Sequence, residues 1–252
     1  MQRLAIVSAM HEELRALLPA LHEAHTVTVA GRRFHTGVMG GHPVVMALSG
    51  IGKVAAATTA SILLAGFDAR AVVLTGVAGG IGAGVRVGDV VLARHLLQHD
   101  MDASPLFPRW EVPLTGRARF DADASLADGL AAAARRCLAA APALIGEAHL
   151  ADFAIAAPRV HEGLIVSGDR FVATAAESRA LAQALPDALA VEMEGAALAQ
   201  VCHDFGRPCA VLRTVSDRAD DDAHADFTRF IVEVASVYTQ VIVQDWLAAT
   251  PA

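Results

Sequence analysis

Residues 43–80 read PVVMALSGIGKVAAATTASILLAGFDARAVVLTGVAGG. An unbroken apolar run at 43–48 meets a glycine turn, then an alanine-rich stretch of helical length at 53–65, then a second apolar run at 71–75. Short apolar runs without polar alternation are typical of strands buried on both faces, and a helix between two of them makes a strand–helix–strand unit. The pattern extends through the chain. Further strand-length runs lie at 4–9, 89–93, 163–166, 189–191 and 209–215, and helical stretches at 11–22, 124–139, 174–184, 194–205 and 224–248. The fold class expected is α/β, a three-layer α/β/α sandwich around a mixed central sheet.

Composition narrows the function classes. Hydrophobic residues make up 54% of the 252 and aromatics only 5%, which suits aliphatic strands under alanine-rich helices. No linker or repeat interrupts the chain, so residues 1–252 are expected to form a single domain. A net charge of −7 without a Lys/Arg cluster argues against a nucleic-acid partner. Cys137, Cys202 and Cys209 lack metal-ligand spacing and sit in apolar surroundings, as reduced thiols do. No apolar run approaches the ~18 residues that span a bilayer, and the N-terminus has no signal-peptide pattern, so no membrane partner and a cytoplasmic location are expected. His99, His203 and His224 are scattered over different elements and read as structural or exposed, with no metal assigned. In residues 99–116, three prolines forbid regular structure while Leu106, Phe107 and Trp110 are too apolar for a free loop. That segment is expected to pack against something, with another subunit as the candidate.

Two glycine-rich segments bear on ligand type. Gly50, Gly52 and Ala55 fit a loose dinucleotide fingerprint, but the next strand ends in Thr75-Gly76 and carries no acid there. The glycines read instead as a sharp turn bordering a ligand. Residues 75–89, TGVAGGIGAGVRVGD, have no helical continuation to hold a phosphate, and their glycines would let backbone approach a flat ligand. Asp89 is expected to hold the end of that loop through backbone hydrogen bonds.

Charged residues also cluster where strands end: MHEE at 10–13, VEME at 191–194 and the R-x-x-SD pattern at 213–217. Any one of these reads as an ion pair or a helix cap. Together they mark the carboxyl ends of strands, where open α/β sheets bind ligands.

The segments IVSAMHEEL, SGIGKVAAA, TGVAGGIGAGVRVGDVVLA, HDMD, GLIVSGDRF, AVEMEGAALAQVCHDF and VLRTVSDRADDDAH span nearly the whole chain. In this order the sequence resembles the 5′-methylthioadenosine/S-adenosylhomocysteine nucleosidases of the nucleoside phosphorylase superfamily. The resemblance implies that fold, no cofactor, and hydrolysis of an N-glycosidic bond to adenine and a 5′-thio-ribose. It makes Glu13 the group that activates water, helped by Arg213. Glu12 is the adjacent rival, and alignment on Met10 favours Glu13. It makes Asp217 the acid that protonates adenine N7, oriented by Ser216. Glu194 would hold the ribose hydroxyls, with Met193 against the sugar. Phe171 would stack on adenine, the Val172 backbone would read its N1 and N6 edge, and Phe227 would flank it. Met10 and Ile51 would face the 5′-substituent, and Ala78 and Gly79 would line the wall. Family precedent adds a homodimer whose partner loop closes the pocket, with Pro105, Phe107 and Pro113 as the loop residues.

The chemistry supports the same assignment. Cleavage leaves electron density on the purine and positive charge on the sugar, so it needs a proton donor on one side and carboxylates on the other. Asp217 must then hold its proton at the working pH, a state that burial favours. A protonated acid at N7 suits a 6-amino purine, and phosphate beside His11-Glu12-Glu13 would be repelled. One departure stands out: Val77 occupies a position where many relatives carry serine. The competing readings are a nucleosidase for futalosine or another 5′-modified adenosine, a purine nucleoside phosphorylase, and a non-catalytic nucleoside- or NAD-binding protein.

Overall fold

The computed structural model describes residues 2–217 and 227–251. Strand β1 (Arg3–Ser8) sends Leu4 and Ile6 into one apolar core and Ala5 and Val7 into another. Side chains alternate across a strand, so an unbroken apolar run packs both faces of a covered sheet. β5 (Ala69–Gly80) divides in the same way, Ala71 and Val73 from Val72 and Leu74.

Both neighbours of β1 lie parallel to it: β5 on one side and β4 (His42–Leu48) on the other. Beyond β4 follow β3 (Arg32–Met39) and then β2 (His22–Val29), each antiparallel to its neighbour. In the other direction come β10 (Cys209–Asp217), β6 (Val90–Gln98), β8 (Val160–Ser167) and β9 (Ala188–Glu192). β5 pairs with both β10 and β9, so these five strands close into a ring. The glycine-rich end of β5 makes the second contact, Gly79 and Gly80 against Val191 and Ala190. The short β7 (Arg119–Asp121) pairs antiparallel with β6.

Helices cover both faces. α1 (His11–Leu17), α3 (Ala124–Ala139) and α9 (Ser236–Ala249) pack together on one side, and α2 (Lys53–Gly66) pairs with α7 (Gly195–Asp204) on the other. Two short helices, α4 (Ala141–Ile145) and α5 (Glu147–Asp152), follow α3, and α6 (Ala175–Ala184) is capped by Thr174. α8 (Phe227–Phe230) runs through a π-helical turn, Ile231–Ala235, into α9. The start expected for this last helix, at His224, and the 218–224 end of the last quoted motif lie outside the described residues.

The layered architecture and every expected strand are present, with corrections. The helix expected over 11–22 stops at Leu17, because a tight turn with Pro19 follows, and His22 already belongs to β2. The β2–β3 hairpin has no counterpart in the sequence reading. All eight residues of β2 are exposed, so no apolar run announces it; its two-residue turn uses Ala30 and Gly31 at φ 49° and 74°. Residues 99–116 are irregular, with the Trp110 indole N–H donating to the His99 carbonyl at 3.1 Å. Asp89 accepts from the backbone N–H groups of Arg86 and Arg159 and lies 2.8 Å from the His161 ring, holding the loop as expected. The three cysteines are free and buried.

Candidate active site

Four charged side chains are buried together where the strands end. Arg213 lies on β10 beside Gly76 of β5, fully buried, and donates to the Thr75 carbonyl at 3.2 Å. Its Nη2 donates to Glu192 and, at 3.1 Å, to Glu194. Glu13 is the third carboxylate in its field. Burial opposes the guanidinium charge, but the three glutamates outweigh it and raise the Arg213 pKa.

Local chain geometry sets each carboxylate. Glu192 ends β9 and accepts from the backbone N–H of Glu194 at 3.1 Å and of Gly195 at 2.8 Å, so it fills the N-terminus of α7. Ser167 at the end of β8 donates to Glu192 and accepts from Ala196 N–H at 2.8 Å. Glu194, the N-cap residue of α7, turns its other oxygen to Gly52 N–H at 2.9 Å. That bond occupies the glycine turn with a carboxylate and speaks against a bound phosphate there. Glu13 sits in the first turn of α1, accepting from Met10 N–H at 3.3 Å, while its Oε1 is buried without a partner among the described residues. Glu12 instead lines a separate recess with Arg15, Val232 and Ser236.

Burial pushes Glu13 up to about 7, although the Arg213 charge and the Met10 hydrogen bond pull it down. Glu194 is likewise raised to about 7, by burial first, against Arg213 and with Glu192 adding to the rise. Both carboxyls are therefore poised to exchange a proton near neutral pH.

Above this cluster opens a cavity of about 260 Å³. Met10, Ile51, Phe171, Val172 and Phe227 border it. Ala78 and Gly79 come from β5, Met193 and Glu194 from the β9–α7 junction, and Ser216 and Asp217 from the end of β10. Asp217 is buried, and Ser216 donates to its carboxylate at 2.7 Å. Glu13 and Arg213 are not on the cavity wall; they connect to it through Met10 and Glu194. The expected residues that reach the wall thus converge from six strand ends and the start of α8, while Pro105, Phe107 and Pro113 stand apart from it.

Over residues 3–244 the chain matches the family model described as the phosphorylase superfamily. It is 34% identical to the 5′-methylthioadenosine/S-adenosylhomocysteine nucleosidase of Shewanella sp. (strain MR-7), over 92% of this chain and 90% of the relative. The chain belongs to the methylthioadenosine/adenosylhomocysteine nucleosidase family. The nucleosidase of the same name from Bacillus cereus (strain B4264) is 35% identical over 96% of this chain and 97% of that one. Among solved structures, the Neisseria meningitidis nucleosidase in complex with methylthio-immucillin-A superimposes with a TM-score of 0.85 at 33% identity, covering 99% of this chain and 100% of that chain.

As a member of the nucleosidase family, the chain has a buried site carboxylate that sequence reasoning left without a role. Glu192 joins Arg213 to the N-terminus of α7. A signal was available, since two acids spaced by one residue at the end of a buried strand share a face. Also unforeseen is the anchoring of the Phe171 loop. Asp169 accepts from Lys53 N–H at 2.7 Å and donates its own N–H to Asp100 at 2.9 Å, while Lys53 Nζ reaches Asp100 at 2.7 Å. Val77, the departure from the common serine, lines the cavity with an apolar side chain.

Proposed function

We propose that this protein hydrolyses the N-glycosidic bond of 5′-methylthioadenosine and S-adenosylhomocysteine, releasing adenine and the 5′-thio-ribose. The observation that carries the reading is the set of three buried carboxylates, Glu13, Glu192 and Glu194, around the single guanidinium of Arg213. Such an excess of negative charge stabilises a sugar that becomes cationic and repels a phosphate dianion, which favours water as the attacking group. Glu13 takes the proton of that water. Its buried Oε1 has acceptor capacity to spare among the described residues, and its pKa near 7 suits a general base.

Glu194 holds the ribose hydroxyls beside Met193. Across the cavity Asp217, oriented by Ser216, gives its proton to adenine N7. Phe171 stacks on the base, Val172 reads its edge through backbone groups, and Phe227 flanks it. Met10 and Ile51 form an apolar seat for the thioether, with Ala78 and Gly79 on the wall. The reaction requires no cofactor or metal in this reading.

One sheet drawing its strands from residues 3 to 217 supports treating the chain as a single catalytic domain. Among the described residues no helix is long and apolar enough to cross a membrane, and the three unpaired thiols suit the cytoplasm. The working unit is a homodimer in which the partner's 105–113 loop closes the 5′ end. Exposure of Ile51 and Val54 beside the cavity, and of Leu106 and Leu114 around the loop, supports it. Sedimentation showing only monomer at micromolar concentration would remove that element.

The central test is base release from methylthioadenosine, adenosylhomocysteine, futalosine and inosine, with and without phosphate. Adenine is expected from the first two in phosphate-free buffer. Strict phosphate dependence, or release from futalosine alone, overturns the assignment.

A further inference from the structure

Of the 20 basic residues in the chain, 19 are arginine and Lys53 alone is lysine. It opens α2 directly after Gly52, with its side chain only 16% exposed. The ammonium donates to Asp100 at 2.7 Å and to the side-chain carbonyl of Gln98 at 3.1 Å. The Gln98 amide in turn donates to Gln200 of α7 at 2.7 Å. An ammonium is a compact charge that can turn its donors to two partners in a narrow space, where the planar fork of an arginine needs more room.

The backbone at the same turn joins the two halves of the cavity wall. Gly52 N–H donates to Glu194 at 2.9 Å, and the next amide, that of Lys53, donates to Asp169 at 2.7 Å. Glu194 lines the nucleoside cavity, and so does Phe171, two residues beyond Asp169. Two consecutive amides, with Cα atoms ~3.8 Å apart, thus carry the sugar side and the base side of the cavity. A Cβ on Gly52, at φ 97°, would lie 3.1 Å from Asp169 Oδ1, so this close seating calls for glycine. Asp100 completes a circuit, because its second oxygen accepts from Asp169 N–H at 2.9 Å. Burial opposes the Asp100 charge, but the Lys53 ammonium and the Asp169 N–H hold its pKa below the ordinary value. The carboxylates of Asp100 and Asp169 both meet Lys53, one at the ammonium and one at the amide, and the ammonium charge offsets their mutual repulsion.

We infer that Lys53, with Asp100 and Asp169, is a positioning unit that fixes the base-contacting segment 169–172 relative to Glu194. The inference rests on the nucleosidase reading and extends it to three residues that do not line the cavity. Breaking a glycosidic bond requires base and ribose to be held in one relative orientation while the bond between them lengthens. Without the ammonium, Asp100 and Asp169 repel across the shared turn and the segment leaves the spacing that the two amides set. Phe171 still meets a base, but at the wrong distance from Glu194. The loss falls on turnover more than on binding of the base.

The test uses Lys53→Met, Asp100→Ala and the double variant, with methylthioadenosine as substrate and free adenine as a competing ligand. Each single variant is expected to lower kcat about 10- to 10²-fold, with KM and the adenine inhibition constant within about threefold of wild type. The double variant should lose no more than the worse single one, because either change opens the same circuit. Lys53→Arg keeps the charge and should recover part of kcat. In the unliganded protein, amide hydrogen exchange across 169–172 should speed up in both single variants. Should Lys53→Met melt well below wild type, Asp100→Ala, at a side chain 31% exposed, carries the same comparison. Unchanged kcat, losses that multiply in the double variant, a parallel rise of KM and the adenine constant in place of the kcat loss, or unchanged exchange each overturn the inference. Failure of the wild type to release adenine removes the nucleosidase reading instead; the exchange measurement needs no substrate and still decides whether the three residues hold the segment.

Discussion

The guanidinium of Arg213 fills the space in which a side chain on Gly76 would begin: a Cβ there would lie 1.8 Å from Nη1 and 3.0 Å from Cζ. The two residues are paired across β5 and β10, so neither strand can shift to make room without breaking the register. Gly76→Ala must therefore expel Arg213 from its place beside Glu192 and Glu194. The expected result is a loss of about 10²-fold in kcat/KM and about 1–3 kcal/mol of stability. Steady-state kinetics with chemical denaturation check it; wild-type values for both would show that the guanidinium relocates freely.

Glu192 serves the guanidinium, the Ser167 hydroxyl and the buried N-terminal end of α7. Glu192→Ala leaves a buried charge short of a counter-ion and uncaps two N–H groups, a change expected to cost about 3–5 kcal/mol in urea unfolding. Glu192→Gln keeps a capping oxygen and should recover part of this. Equal stability of the two variants would argue against a role for the capping oxygen.

Asp217→Asn preserves shape and removes the transferable proton. Turnover should fall by ~10²–10⁴-fold, while a non-hydrolysable adenosine analogue still binds within a few-fold of wild type by calorimetry. Undiminished turnover would move the acid elsewhere.

The pH profile follows from the raised carboxyls. Glu13 must be ionised to accept a proton, so log kcat/KM is expected to rise along an acid limb with its midpoint near pH 7, and to fall again at the higher pH where Asp217 gives up the proton it must donate. Stability runs the opposite way. A carboxyl whose pKa rises from 4.5 to about 7 on folding binds its proton more tightly in the native state. The contribution from Glu13 and Glu194 is thus most favourable below pH 4.5 and is lost as pH rises towards 7. Denaturation of Glu13→Gln across this window should show a weaker decline than wild type; an unchanged slope would remove Glu13 as its cause.

The alternation of apolar runs with alanine-rich stretches was enough to establish a covered α/β sheet, because burial on both faces demands such runs. The motifs at 10–13, 191–194 and 213–217 likewise supplied seven of the sixteen residues that line the cavity. Their chemistry is carried by residue type, and that is visible before folding.

The closure of β5 onto both β9 and β10 and the pairing of Glu192 with Arg213 were decided in three dimensions. Each depends on strands far apart in the chain. β2 shows why local reading stops short: its residues face solvent, so no hydrophobic pattern records it, and only pairing with β3 holds it as a strand. Local composition governs which elements form. Register and burial, which arise from long-range packing, govern which charges face one another and how readily each gives up its proton.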